Sequence, residues 1–268
     1  MKLKSPYLVK PNAKIRLSRI ATGDTGSFKH EDAAASVLDR HREKLAELQD
    51  TFYACQHKAL LIVLQGMDTA GKDGTISHIF SGVNPQGCNV SAFKQPTPDE
   101  LRHDFLWRVH SQVPPRGMIQ IFNRSHYEDI LVPRVHKLIS SSKLEQHIGD
   151  ILEFEDMLHD NDVVVLKFFL HISHEEQTRR LQSRLDTPDK HWKLSESDFR
   201  ERQFWDEYEA AYNHLIGATS RKNAPWFIIP SDAKWYRNVA ISEILVEALK
   251  SLKLKYPKPT LDLEKFKL

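Results

Sequence analysis

The chain has 268 residues, 40% of them hydrophobic, enough to bury a sizeable core without disulfide or metal staples. Its 38 basic and 36 acidic residues nearly cancel to a formal charge of +2, so bulk composition announces no polyanion partner and any anion site must be local. Two cysteines, Cys55 and Cys88, without CxxC or zinc-type spacing, and no apolar run near the ~18 residues of a membrane helix, predict a soluble chain in a reducing, cytoplasmic setting.

After a basic, weakly patterned N-terminal arm, residues 31 to 55 carry Ala34, Val37, Leu38, His41, Leu45, Leu48 and Phe52 at helical spacing. That spacing predicts an amphipathic helix packed on a larger body. Apolar runs at 60–65, 90–93, 118–122, 163–172 and 226–230 read as strands. The segments between them are long enough for crossover helices, expected at 74–81, 99–112, 144–159, 175–185, 198–219 and 234–252. Such alternation is the signature of an α/β protein with a parallel sheet covered on both faces, whose sites gather at strand C-terminal ends. With no internal repeat or linker, a single domain is expected: arm and helix over 1–56, core over 57–256, and a tail with Pro257 and Pro259 over 257–268.

The first strand runs into a glycine-bounded loop in LLIVLQGMDTAGKDGT, residues 60–75. From Gly66 the pattern is glycine, four residues, then Gly71 and Lys72, as in a phosphate-cradling loop, except that Asp73 stands where the usual pattern has Ser or Thr. Small residues let the backbone curl so that successive N–H groups converge on phosphate oxygens at a helix N-terminus, and the lysine adds a mobile positive charge. Ala70, Gly71, Asp73, Gly74 and Thr75 therefore join Lys72 as candidate phosphate-binding residues. In the usual loop the hydroxyl after the lysine ligates magnesium, so metal handling must be rearranged here, with Asp68 the obvious alternative carboxylate. The plain structural reading is a strand, a tight turn and a helix with an incidental lysine.

The third strand leads into IFNRSHYED, residues 121–129, which a doubly wound sheet places beside the phosphate loop. Asn123, Arg124, Ser125, Tyr127, Glu128 and Asp129 crowd there, followed by Arg134, His136 and Lys137. A capping box between Ser125 and Glu128 accounts for those two residues. It leaves Arg124 at a strand end, where planar guanidinium donors suit a phosphoryl group. Just after the fourth strand, RRLQSRLDTPDKHWK (179–193) accumulates Arg179, Arg180, Arg184, Lys190 and Lys193 where a lid would close in a phosphoryl-transfer fold. Arg180 and Arg184 are four apart on one helical face and are expected to reach across the phosphates together. A basic helix taken alone is more often a solvated face. His171 and His174 form an HxxH that lacks further ligands and reads as ordinary histidine.

With GMDTAGKDGT, IFNRSHYED and the segment around RLDTPDKHWK in view, the chain resembles the polyphosphate kinase 2 family. The likeness extends to VNPQGCNVSAFKQPT, DFLWRVH, LKFFLHIS, APWFIIP and KWYRN. The resemblance implies a three-layer αβα P-loop kinase fold of the thymidylate-kinase type with a helical lid, here near 174–195, and phosphoryl transfer between inorganic polyphosphate and a nucleotide. It implies AMP, ADP and ATP as nucleotide partners and Mg²⁺ as cofactor, with Mn²⁺ as the substitute. Carried over, the family's loop residues are Asp68, Gly71, Lys72, Asp73 and Gly74, its third-strand motif is Asn123 and Arg124, and its lid arginine is Arg184. Asn123 stands where many members carry Asp, which puts a second carboxylate ligand in doubt. The form NRSHYED, with Glu128, resembles the subgroup called class III, whose members phosphorylate both AMP and ADP.

The expected roles follow. Lys72 and the loop amides hold phosphates, Asp68 positions the metal, and Arg124 and Arg184 stabilise charge on the transferred group, while Lys94, Arg134, Lys137, Arg180, Lys190 and Lys193 are weaker candidates for the phosphate chain or the nucleotide. The competing readings are an ATP-dependent nucleoside monophosphate kinase and a non-catalytic nucleotide- or polyanion-binding protein. No nucleic-acid module and no membrane association are expected. A homo-oligomer is expected, with the aromatic residues near both ends suited to an interface as readily as to a core.

Overall fold

Every residue of Ala59–Gln65 (β1) is buried, the behaviour of a parallel strand covered on both faces rather than of an alternating edge. The computed structural model, which describes residues 3–261 and residue 265, places β1 in the middle of a five-stranded sheet. The spatial order is β2-β3-β1-β4-β5, with β2 at Cys88–Ala92, β3 at Ile119–Asn123, β4 at Val163–His171 and β5 at Trp226–Pro230. All four pairings are parallel, and the register sets Leu64 of β1 beside Asn123 on one side and Phe168 on the other. The chain reverses its direction of sheet growth at β1, so the crevice at the C-terminal ends of β1 and β3 is a topological switch point.

Helices cover both faces. On one, α1 (Glu31–Cys55) packs along α9 (Lys234–Ser251), with α2 (Lys72–Ile79) beside it; on the other, α4 (Glu128–Val135), α5 (Ser141–Asp160) and α8 (Trp205–Thr219) contact one another. The remaining helices are α3 (Trp107–His110), α6 (His174–Leu185) and α7 (Glu196–Glu201). The α/β class and the five strands read from the sequence are those of the structure. Among the described residues no helix is long and apolar enough to cross a membrane. The tail expected over 257–268 lies in part outside the described residues.

Three expectations need correction. The helix expected at 99–112 is only a 3-10 turn, Glu100–Arg102, and the four-residue α3. Thr97 and Glu100 exchange side-chain to backbone hydrogen bonds (2.7 and 3.2 Å) and Asp104 takes the Leu106 N–H at 3.0 Å, local bonds that compete with the helical ladder. The helix expected at 198–219 is broken into α7, a turn at Arg202–Phe204, and α8, because Phe204 leaves helical geometry and Arg202 reaches back to the carbonyl of His174 on α6. The capping box between Ser125 and Glu128 does not form: Ser125 Oγ accepts from Tyr127 N at 3.2 Å, and Glu128 turns to Arg124.

Two further features brace the site. The N-terminal arm runs antiparallel along the outer edge of β5, with Val9 N–H donating to Trp226 O and Ile228 N–H to Tyr7 O, both at 2.9 Å, so the arm covers that strand edge. Beneath the third-strand motif, the fully buried Lys167 donates to Glu155 (2.6 Å), the Tyr127 hydroxyl (2.9 Å) and the Thr219 carbonyl (2.8 Å). A buried cation survives because its three donors each meet an acceptor.

Candidate active site

The phosphate loop is shaped by backbone that only a few residues tolerate. At Gly66 a Cβ would meet the Leu170 carbonyl oxygen at 2.7 Å, so glycine lets β1 pass close to β4 as it turns. Thr69 (φ +65°) and Gly71 (φ +102°) are left-handed and bend the chain into the N-terminus of α2, which starts at Lys72. Lys72 is buried, and its Nζ donates to the carbonyl of Gly66 at 2.9 Å, inside the curl of the loop. Burial, and to a lesser extent the Arg124 charge, lowers its pKa to about 8 against the opposing pull of Asp68, Glu128 and Asp73. A lysine so destabilised as a cation is one that a bound anion would recharge.

Arg124 leaves β3 in the left-handed region at φ +64° and donates its backbone N–H to Leu64 O at 3.1 Å. This conformation costs a non-glycine residue about 1–2 kcal/mol and aims the guanidinium at the loop. It bonds Asp68 at 2.6 Å and Glu128 at 3.4 Å. Burial works against its charge, but Glu128 and Asp68 outweigh that and hold its pKa above the ordinary arginine value. Asn123 Nδ2 donates to Asp73 Oδ1 at 2.6 Å, which ties the first turn of α2 to the end of β3. Thr75 is buried and gives its hydroxyl to the Gly71 carbonyl at 3.0 Å, while Gly74 lies where a Cβ would touch Arg237 Nη2 at 3.5 Å.

A cavity of about 550 Å³ opens beside this constellation, within the range of small-molecule sites. Asp68, Arg124 and Glu128 form its charged wall, Phe93, Leu101, Val132 and Pro133 give it apolar surface, and Tyr208 and Tyr212 line it from α8. Arg108, almost fully buried, contributes a second guanidinium, held by the Lys94 carbonyl (2.9 Å) and the Asp129 carboxylate (3.2 Å). Burial raises the Asp129 pKa against the pull of Arg108. A more open groove of about 820 Å³ between residues 103–106 and α5 lies apart from the phosphate loop.

The structure thus brings together Asp68, Lys72, Asp73, Asn123, Arg124 and Glu128, and puts the exposed Lys94 on the cavity wall. It does not bring in all the other candidates. Arg180 is buried, and its guanidinium meets the outward carbonyls of Thr69 and Ala70 rather than the inner side of the cradle. Arg184 is half-buried on α6, bonded to the Lys193 carbonyl at 3.2 Å and 3.9 Å from Asp198. The pair therefore does not reach across the loop together in this conformation. Lys190 and Lys193 are exposed on the 3-10 turn Pro188–Lys193. Arg134 and Lys137, at the end of α4, do not line the cavity. Arg108 and Arg237 lie in the DFLWRVH and KWYRN likenesses without a local pattern that marks them as site residues, and Gln177, Tyr208 and Tyr212 reach the site by long-range packing outside any motif.

A family model described as polyphosphate kinase 2 matches residues 28–257, most of the chain. The chain belongs to the polyphosphate kinase 2 family. A polyphosphate kinase 2 crystal structure from Arthrobacter aurescens superposes with a TM-score of 0.93 at 39% identity, covering 97% of this chain and 93% of that one. A Meiothermus ruber protein named AMP/ADP-polyphosphate phosphotransferase is 48% identical over 263 residues, 97% of each chain. A Rhodopseudomonas palustris protein named ADP-polyphosphate phosphotransferase is 39% identical over 273 residues, 97% of this chain and 94% of that one. As a polyphosphate kinase 2, the chain combines the three-layer P-loop fold with the Asp73 loop variant described above.

Proposed function

We propose that this protein transfers the terminal phosphoryl group of inorganic polyphosphate to AMP and to ADP, giving ADP and ATP, reversibly and with Mg²⁺. The observation that carries this reading is the convergence of Asp68, Arg124 and Glu128 on the wall of a cavity large enough for a nucleotide, with Lys72 held in the adjoining loop. Two relatives that match almost end to end support it, one named for both AMP and ADP and one for ADP.

The residues fit the chemistry. A nucleotide's terminal phosphate already presents anionic oxygens at neutral pH, so the acceptor needs no general base. Positioning and charge neutralisation suffice for an in-line transfer. Lys72 and the loop N–H groups hold the donor phosphates. Arg124, fixed by two carboxylates, faces the transferred group, and the apolar and tyrosine-lined walls of the cavity seat the base and sugar. Arg184 and the exposed Lys190 and Lys193 sit on the segment 174–195, which we assign as a lid that closes over the donor.

The donor set also suits Mg²⁺. Asp68 and Asp73 flank Lys72 with carboxylate oxygens, and among the described residues no group of three or more His, Cys, Asp and Glu forms a closed cage. Mg²⁺ is usually held by one or two carboxylates plus substrate phosphates, so these two residues would hold it. When bound, the ion neutralises charge on the phosphates.

Purified protein given Mg²⁺, long-chain polyphosphate and either AMP or ADP tests the acceptor reading by chromatography. Product from both acceptors is expected. Product from ADP alone narrows the acceptor range, and no product from either refutes the proposal.

A further inference from the structure

Two arginines grip the outside of the phosphate loop at one point. Arg180 of α6 donates Nη1 to the carbonyls of Thr69 and Ala70, each at 2.9 Å, Nη2 to those of Ser231 (2.5 Å) and Asp232 (3.1 Å), and Nε to Glu176 at 2.7 Å. Arg237 of α9 donates Nη1 to the same Ala70 carbonyl at 3.1 Å and its other nitrogens to Asn238 Oδ1 at 3.0 and 3.2 Å. Arg237 is 2% exposed and, among the described residues, makes no ion pair with a carboxylate; Glu176 pairs with Arg179 and Arg180 instead. Lys234, nearly one turn earlier on α9, adds a further cation whose pKa is lowered by burial and by Arg180 and Arg237, against the pull of Glu176.

Burying a guanidinium with no carboxylate is costly, and here it is set directly behind the surface where a polyanion would bind. Burial and the nearby Arg180 lower the Arg237 pKa to about 9, which reflects that cost. The geometry gives the pair a task. In a trans peptide the C=O and N–H point in opposite directions, and the described chain has no cis bond. Two guanidinium groups holding the Ala70 carbonyl outward therefore aim the N–H of Gly71 into the curl of the loop, where phosphate oxygens are met. Gly71 is fitted to this arrangement, since a Cβ there would overlap Arg237 Nη1.

We propose that Arg180 and Arg237 act as a positioning clamp for the phosphate donor: they lock the Ala70–Gly71 peptide with its N–H facing the donor phosphates and supply fixed positive charge from the dry side of the loop. The proposal rests on the polyphosphate reading and refines it. Neither arginine lines the nucleotide-sized cavity, so the clamp acts on the donor and not on the acceptor.

The test compares wild type, Arg237→Gln and Arg237→Lys by steady-state kinetics with polyphosphate and AMP, and by calorimetric binding of inorganic tripolyphosphate. Loss of a hydrogen bond from a charged group predicts a rise in polyphosphate KM and a loss of tripolyphosphate affinity of about tenfold or more for Arg237→Gln. The AMP KM is expected to stay within about twofold, and Arg237→Lys to recover part of the loss by restoring the charge. A purely structural role would lower the active fraction and leave the polyphosphate KM in place. Polyphosphate KM and tripolyphosphate affinity of Arg237→Gln both within twofold of wild type would overturn the clamp, and if Arg237→Gln fails to fold, the uncharged Arg237→Met decides, with the same twofold limit. A wild type that binds tripolyphosphate but transfers nothing would refute the functional reading, while the affinities would still judge the clamp.

Discussion

Lys72 is held in the apo protein as a cation that its surroundings disfavour, and replacing it with Met should stabilise the fold. A fall in pKa from the ordinary 10.5 to about 8, caused first by burial, corresponds to roughly 3 kcal/mol at 1.36 kcal/mol per pH unit. Met keeps the length of the side chain but gives up the Nζ bond to the Gly66 carbonyl, leaving a gain of about 1–3 kcal/mol. For a chain of this size each kcal/mol moves Tm by about 2–4 °C, so Lys72→Met should melt several degrees higher at pH 7. The sign of the pH dependence follows from the depressed lysine pKa. The penalty is complete below about pH 8, where both folded and unfolded lysine carry the proton, and it fades between about 8 and 10.5, where the folded protein has lost the proton and the unfolded chain still binds it. Thermal unfolding followed by circular dichroism at pH 7 and pH 9.5 should show the gap between variant and wild type shrinking by about half or more. Tripolyphosphate should raise the wild-type Tm far more than that of the variant. A variant less stable than wild type at pH 7, or a gap unchanged with pH, would refute the reasoning.

Other perturbations separate the site from its supports. Arg124→Ala should lower turnover on the order of a thousandfold without loss of fold, measured as initial rates with polyphosphate and AMP. Arg184→Ala should likewise cost on the order of a thousandfold through the lid, and a rate within a few-fold of wild type would remove Arg184 from the mechanism. Lys167→Met strands the buried Glu155 and should cost about 3–5 kcal/mol by urea denaturation, whereas pairing it with Glu155→Leu should restore part of that stability. Chelation with EDTA should abolish transfer yet leave Tm within about 2 °C, because a metal brought by substrate phosphates does not hold the fold.

How far the chain could be read in advance depended on how local each feature is. The central strand and the loop were legible because the apolar run of residues 60–65 is followed by fixed glycine spacing. Arg124 was legible because an arginine at a strand end beside that loop has few structural uses. Arg180 was misread because a basic helix face looks the same whether its guanidinium meets phosphate or loop carbonyls; only the proximity of Thr69, Ala70 and Ser231 decides it. Arg237 lies in the KWYRN likeness, but nothing local marks it as a support for the loop, since a single arginine in a helix is usually exposed and this one is buried. The cavity escaped for the same reason: Arg108 sits in what reads as one long helix but is a four-residue fragment, and Tyr208 and Tyr212 reach the site from a distant helix. The N-terminal arm lacks periodicity because its backbone, rather than a side-chain face, pairs with β5.

The central claim is that polyphosphate is the donor. Its most direct test offers AMP with either long-chain polyphosphate or ATP at matched phosphate concentration, following nucleotide by chromatography and chain length by gel electrophoresis. Rapid ADP and then ATP formation with shortening of polyphosphate, and much slower transfer from ATP, is the predicted result. Transfer from ATP alone, with the polyphosphate chain intact, would contradict it and leave an ordinary nucleotide kinase.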